Sequence, residues 1–355
     1  MRILFWLGFV GCQAPERLLV IDGERGDYQL TEVSLPELED PVRMLGSLGN
    51  GKVGGFIDPH LDLSKLASTS EEEAAASIDP TKFEYRGGGA ISLSFAVDDG
   101  VGVPLDADGL SLWSYYHSLA SLKEELDARG HNVDHLFPID FAYQPSLVGI
   151  QLTATNAAFM KVGHTPMFVL QADPDDLKLP LAANPMVIRH EFGHAFLEGL
   201  MDEVYPERDV FDVRLRALNE GFADIMAANL LDDPDILGAS IRDASLSETR
   251  LMSIPRSWGD TEVSDNPYEV GSVYASLAWT LRESSSPVFA LDSAINALRR
   301  FGEEGPMEDS DSVREIHLFG VYLVEDAIQR DPSLAPTMCA ALAAALPTMP
   351  GASGC

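Results

Sequence analysis

The chain has 355 residues, of which 46% are hydrophobic and 23% are charged, and this is enough to form two lobes around a hydrophobic core. Its 56 acidic residues outnumber its 24 lysine and arginine residues, which gives a formal net charge of −32. This balance argues against a basic surface that binds nucleic acid or anionic lipid. It suits a soluble protein in a salty or extracellular setting.

The N-terminus resembles a bacterial export signal, which we assign to residues 1–12. Arg2 precedes an apolar run over residues 3–10 that is too short to span a bilayer. Cys12 follows after one glycine, as in a lipoprotein signal whose cysteine carries the lipid; an ordinary export signal is the alternative. We therefore expect a secreted protein, or a cell-envelope lipoprotein in the periplasm or outer membrane that meets the membrane only through Cys12.

Two further cysteines, Cys339 and Cys355, remain if Cys12 carries a lipid. An even pair in an oxidising compartment can form a disulfide, so we expect one near the C-terminus. No later segment has about 20 uninterrupted apolar residues, and the sequence therefore predicts no transmembrane helix.

The first half of the chain is predicted to be an extension followed by a β-rich lobe. Residues 13–75 mix short apolar pieces with proline, glycine, serine and acidic residues, which is typical of a linker with a few strands. Residues 76–180 are assigned to the β-rich lobe because residues 91–97 alternate apolar and polar side chains. The other elements predicted in this lobe are a helix over residues 110–128 and strands over residues 137–143, 148–155 and 166–171.

Two acidic turns in this lobe, residues 98–100 and residues 106–109, are candidates for binding calcium. Their spacing does not match a complete EF-hand loop, so ordinary turns are the favoured interpretation. Ca²⁺ is therefore a secondary expectation beside the metal discussed next.

The second half, residues 181–355, is predicted to be a helical lobe organised around the stretch NPMVIRHEFGHAFLE, residues 184–198. Asn184 is a good N-cap for a helix, and Pro185 is a good first helical residue. Gly199 can end the same helix. Apolar residues surround nearly every face of it, so we expect it to be buried.

This helix carries an HExxH motif. His190 and His194 are four residues apart and therefore share one helix face, where both imidazoles can bind the same metal ion. Glu191 lies beside the open position of the metal and can take a proton from the metal-bound water. The motif predicts the site of a zinc hydrolase.

A second motif, NEGFAD, follows on a predicted helix over residues 219–228. Glu220 can be the third zinc ligand, and Asp224, one turn later, can accept a hydrogen bond from a ligand histidine. Asn219 is assigned to the same supporting layer. The 25 residues between His194 and Glu220 allow the chain to turn and return antiparallel.

The remaining helices are predicted from apolar periodicity and are assigned to packing. They cover residues 269–282, 288–301, 312–329 and 334–346. Tyr268 precedes the first of them and could point its phenol into a cleft.

Together, these motifs resemble the thermolysin-like zinc peptidases that use glutamate as the third ligand, and within them the fungalysin branch. The resemblance extends from about residue 106 to residue 282. It implies an α+β fold of the zincin type, with a β-rich N-terminal lobe, a mainly helical C-terminal lobe and the active-site helix between them. It also implies Zn²⁺ on His190, His194 and Glu220, with Glu191 as the general base.

Two shorter matches concern the substrate. Residues 156–159 are similar to the edge strand of the family that holds the substrate as an added strand, which implies this role for Asn156 and Ala157. Residues 241–243 resemble the segment whose arginine binds a substrate carbonyl, which implies this role for Arg242.

Tyr268 is the main departure from the family. The stretch from Tyr268 to Ala275 lines up with a fungalysin pattern that begins with a histidine, and that histidine stabilises the oxyanion. A phenol can donate the same hydrogen bond, but its reach and pKa differ.

The sequence therefore favours a zinc-dependent metallopeptidase, an endopeptidase that acts on peptides or proteins. A catalytically weakened or inactive protease fold that serves as a surface binding module is the alternative. An aminopeptidase ranks lower, because the chain lacks a Gly-x-Met-Glu-Asn segment of the kind that anchors a substrate amine.

Overall fold

Strands dominate the first half of the chain and helices dominate the second half. The computed structural model describes residues 15–24, 27–58, 83–147, 157–162, 165–170, 178–204, 213–240, 250–261, 266–304, 312–347 and 355. The α+β fold class predicted from the sequence is confirmed.

The strands of the described chain form three sheets. The strands are β1 (Arg17–Glu24), β2 (Asp27–Val33), β3 (Leu45–Gly46), β4 (Gly49–Val53), β5 (Phe56–Asp58), β6 (Glu84–Arg86), β7 (Gly89–Ala90), β8 (Phe95–Asp98), β9 (Val101–Pro104), β10 (Asp140–Tyr143), β11 (Ser146–Leu147), β12 (Ala157–Val162) and β13 (Thr165–Leu170). The sheet orders are β2-β1-β9-β8, β11-β5-β6, and β12-β13-β10-β4-β3 with β7 beside β4. Among the described strands, β12 is therefore at a sheet edge, where it pairs antiparallel with β13.

The helices are α1 (Ala107–Ala128), α2 (Pro185–Val204), α3 (Val213–Leu231), α4 (Trp258–Thr261), α5 (Pro267–Ser284), α6 (Pro287–Glu304), α7 (Ser312–Arg330) and α8 (Ala335–Ala345). Helix α2 contacts α1, α3 and β12, so it lies between the sheet-bearing part and the other helices. No described helix is both long enough and apolar enough to cross a membrane.

The described part of the stretch predicted as a linker with a few strands, residues 15–24 and 27–58, contributes β1 to β5 to the sheets. Strand β1 pairs in parallel with β9, and β4 pairs in parallel with β10. The side chains of Leu18 and Val20 are buried, and the amide of Ile21 donates a hydrogen bond of 2.8 Å to Ser114 Oγ on α1. Strand β1 also forms a local antiparallel hairpin with β2, but its parallel partner β9 and the parallel partner of β4, β10, lie more than 80 residues along the chain, where no local pattern indicates them.

The two acidic turns are ordinary structural elements. Asp99 and Gly100 form the hairpin between β8 and β9 with φ values of 48° and 78°, as a tight hairpin turn requires. Asp106 caps α1, because its carboxylate accepts a hydrogen bond of 2.7 Å from the amide of Gly109. Calcium at these turns stays a prediction of the sequence alone.

Helix α2 begins at Pro185 after the predicted cap Asn184, whose side-chain oxygen accepts from the amide of Met186 at 3.0 Å. The prediction that Gly199 ends this helix is wrong, because α2 continues to Val204. Gly199 serves packing instead: a Cβ there would lie 2.5 Å from Leu136 Cδ2.

Three helices approach each other at glycines. A Cβ on Gly193 of α2 would lie 2.6 Å from the Cα of Ala223 on α3. A Cβ on Gly221 of α3 would lie 2.5 Å from the carbonyl oxygen of Gly271 on α5. Real Cβ atoms do not come this close to backbone, so α2, α3 and α5 can pack at these distances only with glycine at the contacts.

The C-terminal helices pack behind α5, and a disulfide links Cys339 of α8 to the C-terminal residue Cys355, with Cα atoms 5.4 Å apart. His317 of α7 is buried there, 4.3 Å from the ring of Trp258 and with Nδ1 3.1 Å from the hydroxyl of Tyr274. Burial lowers the pKa of His317 from 6.5 to about 4.

We expect this histidine to make the fold sensitive to acid. The unfolded chain binds the proton more tightly, so stability is fully present above pH 6.5 and is lost as the pH falls to about 4. The loss amounts to up to about 3 kcal/mol in the free energy of unfolding. Denaturant titrations at pH 7 and pH 4 should show a smaller difference for His317→Asn, and an equal difference in both proteins would contradict the assignment.

Candidate active site

The HEFGH motif lies on α2 and directs two imidazoles to one point. The Nε2 atoms of His190 and His194 are 3.1 Å apart, and His190 is almost completely buried. Glu220 reaches the same point from α3, with Oε2 at 3.4 Å from Nε2 of His190 and 3.7 Å from Nε2 of His194. The structure thus brings together three residues that are separated by up to 30 positions in the sequence.

These three atoms fit the donor set of a zinc ion. Ligand atoms around a tetrahedral zinc ion with bond lengths of about 2.0–2.1 Å are about 3.3–3.4 Å apart. Oε2 of Glu220 is buried and has no hydrogen-bond partner in the described part of the chain, which is costly for a carboxylate oxygen unless a cation binds it. Glu191 also offers an oxygen to this region, because its carboxylate and the two imidazoles have ligand atoms within 4.8 Å of one another.

Two polar side chains of α3 hold the imidazoles in place. Nδ1 of His190 lies 2.8 Å from Oδ1 of Asp224, and Nδ1 of His194 lies 2.8 Å from Oδ1 of Asn219. Each Nδ1 therefore donates its proton to an oxygen, which leaves the lone pair of each Nε2 facing the shared point. All three side chains, Asn219, Glu220 and Asp224, come from helix α3. Asn219 and Glu220 are neighbours in the sequence, and Asp224 lies about one helical turn after Glu220, so the three can reach the same pair of histidines.

The carboxylate of Glu191 is held by the edge strand. The amide of Phe159 on β12 donates a hydrogen bond of 2.7 Å to Oε2 of Glu191. Burial raises the pKa of Glu191 above its usual value, although the neighbouring imidazoles of His190 and His194 act in the opposite direction. A carboxylate with a raised pKa is better matched to proton transfer near neutral pH than an exposed one.

The other two acids stay ionised. Burial alone would raise the pKa of Glu220, but the positive charges of His194 and His190 in their protonated state outweigh it and lower the pKa to about 2. Burial would likewise raise the pKa of Asp224, but Arg250 and His190 lower it below its usual value. Glu220 therefore carries a negative charge beside the two Nε2 atoms, and Asp224 carries one beside Nδ1 of His190.

Arg250 is a site residue that the sequence did not indicate. One of its terminal nitrogens makes a short contact with Oδ1 of Asp224 and lies 3.8 Å from Oε2 of Glu220. No motif surrounds it in the sequence; the isolated bridge between Asp235 and Leu251 brings this segment to the site. Only the fold could have placed this arginine here.

Tyr268 stands at the start of α5, where Asn266 caps the helix and Pro267 is its first residue. The charge of Glu220, with burial, raises the pKa of Tyr268 to about 12. Its phenol therefore keeps its proton at neutral pH and can act as a hydrogen-bond donor.

A cleft surrounds these groups. One wall is the start of β12, from Ala157 to Phe159, and Tyr268 and Arg250 lie at its other side. The apolar residues that line it are Leu181, Val187, Ile236 and Leu237. Ala157 thus lies where an extended ligand could reach it, whereas Cys12, Asn156 and Arg242 lie outside the described residues.

No family model matches the sequence, and no curated protein does either. One similar solved structure is the precursor of protealysin, a metalloproteinase from Serratia proteamaculans. It is 12% identical, the match covers 73% of this chain and 81% of that chain, and the TM-score is 0.48. A similarity of this size defines neither the family nor the activity of this chain.

Proposed function

We propose that the protein is a zinc-dependent metallopeptidase that cleaves peptides or proteins as an endopeptidase. The observation that carries this proposal is the convergence on one point of two imidazole Nε2 atoms and Oε2 of Glu220, which has no hydrogen-bond partner in the described chain. The finer assignment, to the glutamate-ligand peptidases of the fungalysin type, belongs to the same proposal. It is supported by the motifs HEFGH and NEGFAD and by the spacing between them.

In this proposal, the residues that would hold a zinc ion are His190, His194 and Glu220. The ion would act there as a Lewis acid and would lower the pKa of a water molecule toward about 7. Glu191 accepts the proton of the attacking water and passes it to the leaving amine. Its hydrogen bond from Phe159 keeps the carboxylate directed away from its own helix and toward the cleft.

The substrate would lie along β12. This strand is at the edge of its sheet among the described strands, so an extended peptide can pair with its free side at Ala157, beside Phe159, whose amide already binds Glu191. The hydroxyl of Tyr268 donates a hydrogen bond to the oxyanion, and the guanidinium of Arg250 orients a substrate carbonyl. The sequence assigned this role to Arg242, which lies outside the described residues and stays a prediction.

We also propose that the protein is exported, as the signal-like residues 1–12 indicate, with lipid attachment at Cys12. The bond between Cys339 and Cys355 supports an oxidising compartment, because disulfides persist outside the reducing cytosol.

The purified protein is expected to bind one zinc ion per chain and to cleave an unfolded protein such as casein. A chelator should abolish cleavage, and added Zn²⁺ should restore it, because the reaction depends on the metal. Metal analysis and a cleavage assay measure the two properties separately. One bound zinc with no cleavage of a peptide library would favour the inactive binding module, which the tyrosine at position 268 makes the second candidate.

A further inference from the structure

The ring of Tyr268 lies against Arg250. The guanidinium carbon of Arg250 is 4.6 Å from the centre of the ring, within the range of a cation–π contact. The side chain of Arg250 is only 12% exposed, whereas Tyr268 is 43% exposed. The ring of Tyr268 therefore lies on the solvent side of a nearly buried guanidinium.

The inner side of the same guanidinium lies against Asp224. Its Nε is 3.4 Å from Oδ2 of Asp224, and a terminal nitrogen makes the short contact with Oδ1. Asp224 is 2% exposed and also binds Nδ1 of His190 at 2.8 Å. A continuous series of contacts therefore runs from Tyr268 through Arg250 and Asp224 to His190.

Each contact in this series constrains the next. Arginine has a long side chain with many rotamers, and a flat aromatic face restricts its planar guanidinium to one orientation. With Arg250 in place, the buried carboxylate of Asp224 is neutralised, and its Oδ1, which contacts a terminal nitrogen of Arg250, can also receive the proton of Nδ1 of His190. The same nitrogen of Arg250 lies 3.2 Å from Nδ1 of His190. Without Arg250, the buried carboxylate of Asp224 would lack the cation that neutralises it, and the orientation of His190 would be less well defined.

We propose that Tyr268 is a positioning residue whose ring, independently of its hydroxyl, fixes Arg250 against Asp224 and so orients His190 for zinc. This inference rests on the proposed function for its effect on zinc and substrate. It also accounts for a tyrosine at a position where the resembling family has histidine, because a phenol ring offers a larger face to a guanidinium than an imidazole does.

Two substitutions separate the ring from the hydroxyl. Tyr268→Phe keeps the ring and should leave both zinc affinity and KM unchanged, while kcat falls because the oxyanion loses a donor. Tyr268→Leu removes the ring and should weaken zinc binding about 10-fold, as changes around ligand histidines typically do, and raise KM as well. Zinc affinity is measured by competition with a chromophoric chelator, which needs no catalytic activity.

Two controls support this comparison. Phe289→Leu removes another ring that covers an arginine, Arg330 at 4.2 Å, far from the site, and should leave zinc affinity and KM unchanged. In an Arg250→Leu background, Tyr268→Phe and Tyr268→Leu should bind zinc equally, because the ring then has no guanidinium to hold.

A third measurement does not depend on zinc. In protein with labelled arginine, the Nε–H of Arg250 should exchange with water faster in Tyr268→Leu than in wild type, and at the wild-type rate in Tyr268→Phe. Equal zinc affinity and equal exchange in Tyr268→Leu and wild type would overturn the inference, as would equal losses of zinc affinity in the Phe and Leu variants.

A wild-type protein that binds no zinc would overturn the proposed function, while the exchange rates would still decide the role of the ring.

Discussion

Replacing Glu191 with glutamine is expected to reduce peptide cleavage by a factor of about 10²–10⁴, the usual contribution of a general acid–base group. The glutamine amide has the shape of the carboxylate but cannot take a proton from water. Its oxygen can still accept the hydrogen bond from the amide of Phe159, so the side chain should keep its place. The loss should appear in kcat rather than in zinc content.

Zinc content and cleavage rate of Glu191→Gln should therefore be measured on the same preparation. Glu203→Gln is a matched control, because it makes the same change at an exposed position near the end of the same helix. It should behave as wild type. Cleavage by Glu191→Gln at the wild-type rate would remove this residue from the mechanism.

Replacing Glu220 with glutamine is expected to weaken zinc binding itself, whereas the change at Glu191 lowers kcat and leaves zinc binding intact. Changes around ligand histidines typically weaken metal binding 10–100-fold, and loss of a charged ligand should cost at least about 100-fold. Oε2 of Glu220 has no hydrogen-bond partner in the described chain, and its ion-pair contact with Arg250 is long at 3.8 Å, so glutamine breaks no hydrogen bond of the fold at this oxygen. The variant should remain folded.

Chelator competition on folded Glu220→Gln tests this expectation, with circular dichroism to show that the helices persist. Glu191→Gln is the natural comparison, because it makes the same chemical change beside the same point and should retain zinc. If Glu220→Gln held one zinc ion per chain with wild-type affinity, the third-ligand assignment would be wrong.

Local signals made the central helices predictable. The signals for α2 all lie within 11 residues: the cap Asn184, the first helical residue Pro185, and the spacing of His190 and His194. The observed helix begins at Pro185, as these signals predict. The end of α2 was not predictable, because Gly199 is placed by its contact with Leu136 rather than by a left-handed conformation. The same glycine in a sequence can serve either purpose.

The rest of the site depends on contacts between distant segments. Arg250 carries no motif, and its place beside Asp224 follows only from how its segment packs on α3. The parallel pairings of β1 and β4 have the same property, since these strands find their parallel partners around residues 101 and 141. Such pairings are decided by packing across the whole molecule, which a local pattern does not encode.

The contact between Gly221 and Gly271 has a mechanical consequence. Because the backbones of α3 and α5 are in contact there, we expect the two helices to move as one rigid unit. Glu220 and Tyr268, one on each helix, would then keep their relative positions. Widening of the cleft to admit a bulky chain must then come from the opposite wall, where β12 is attached by its pairing with β13.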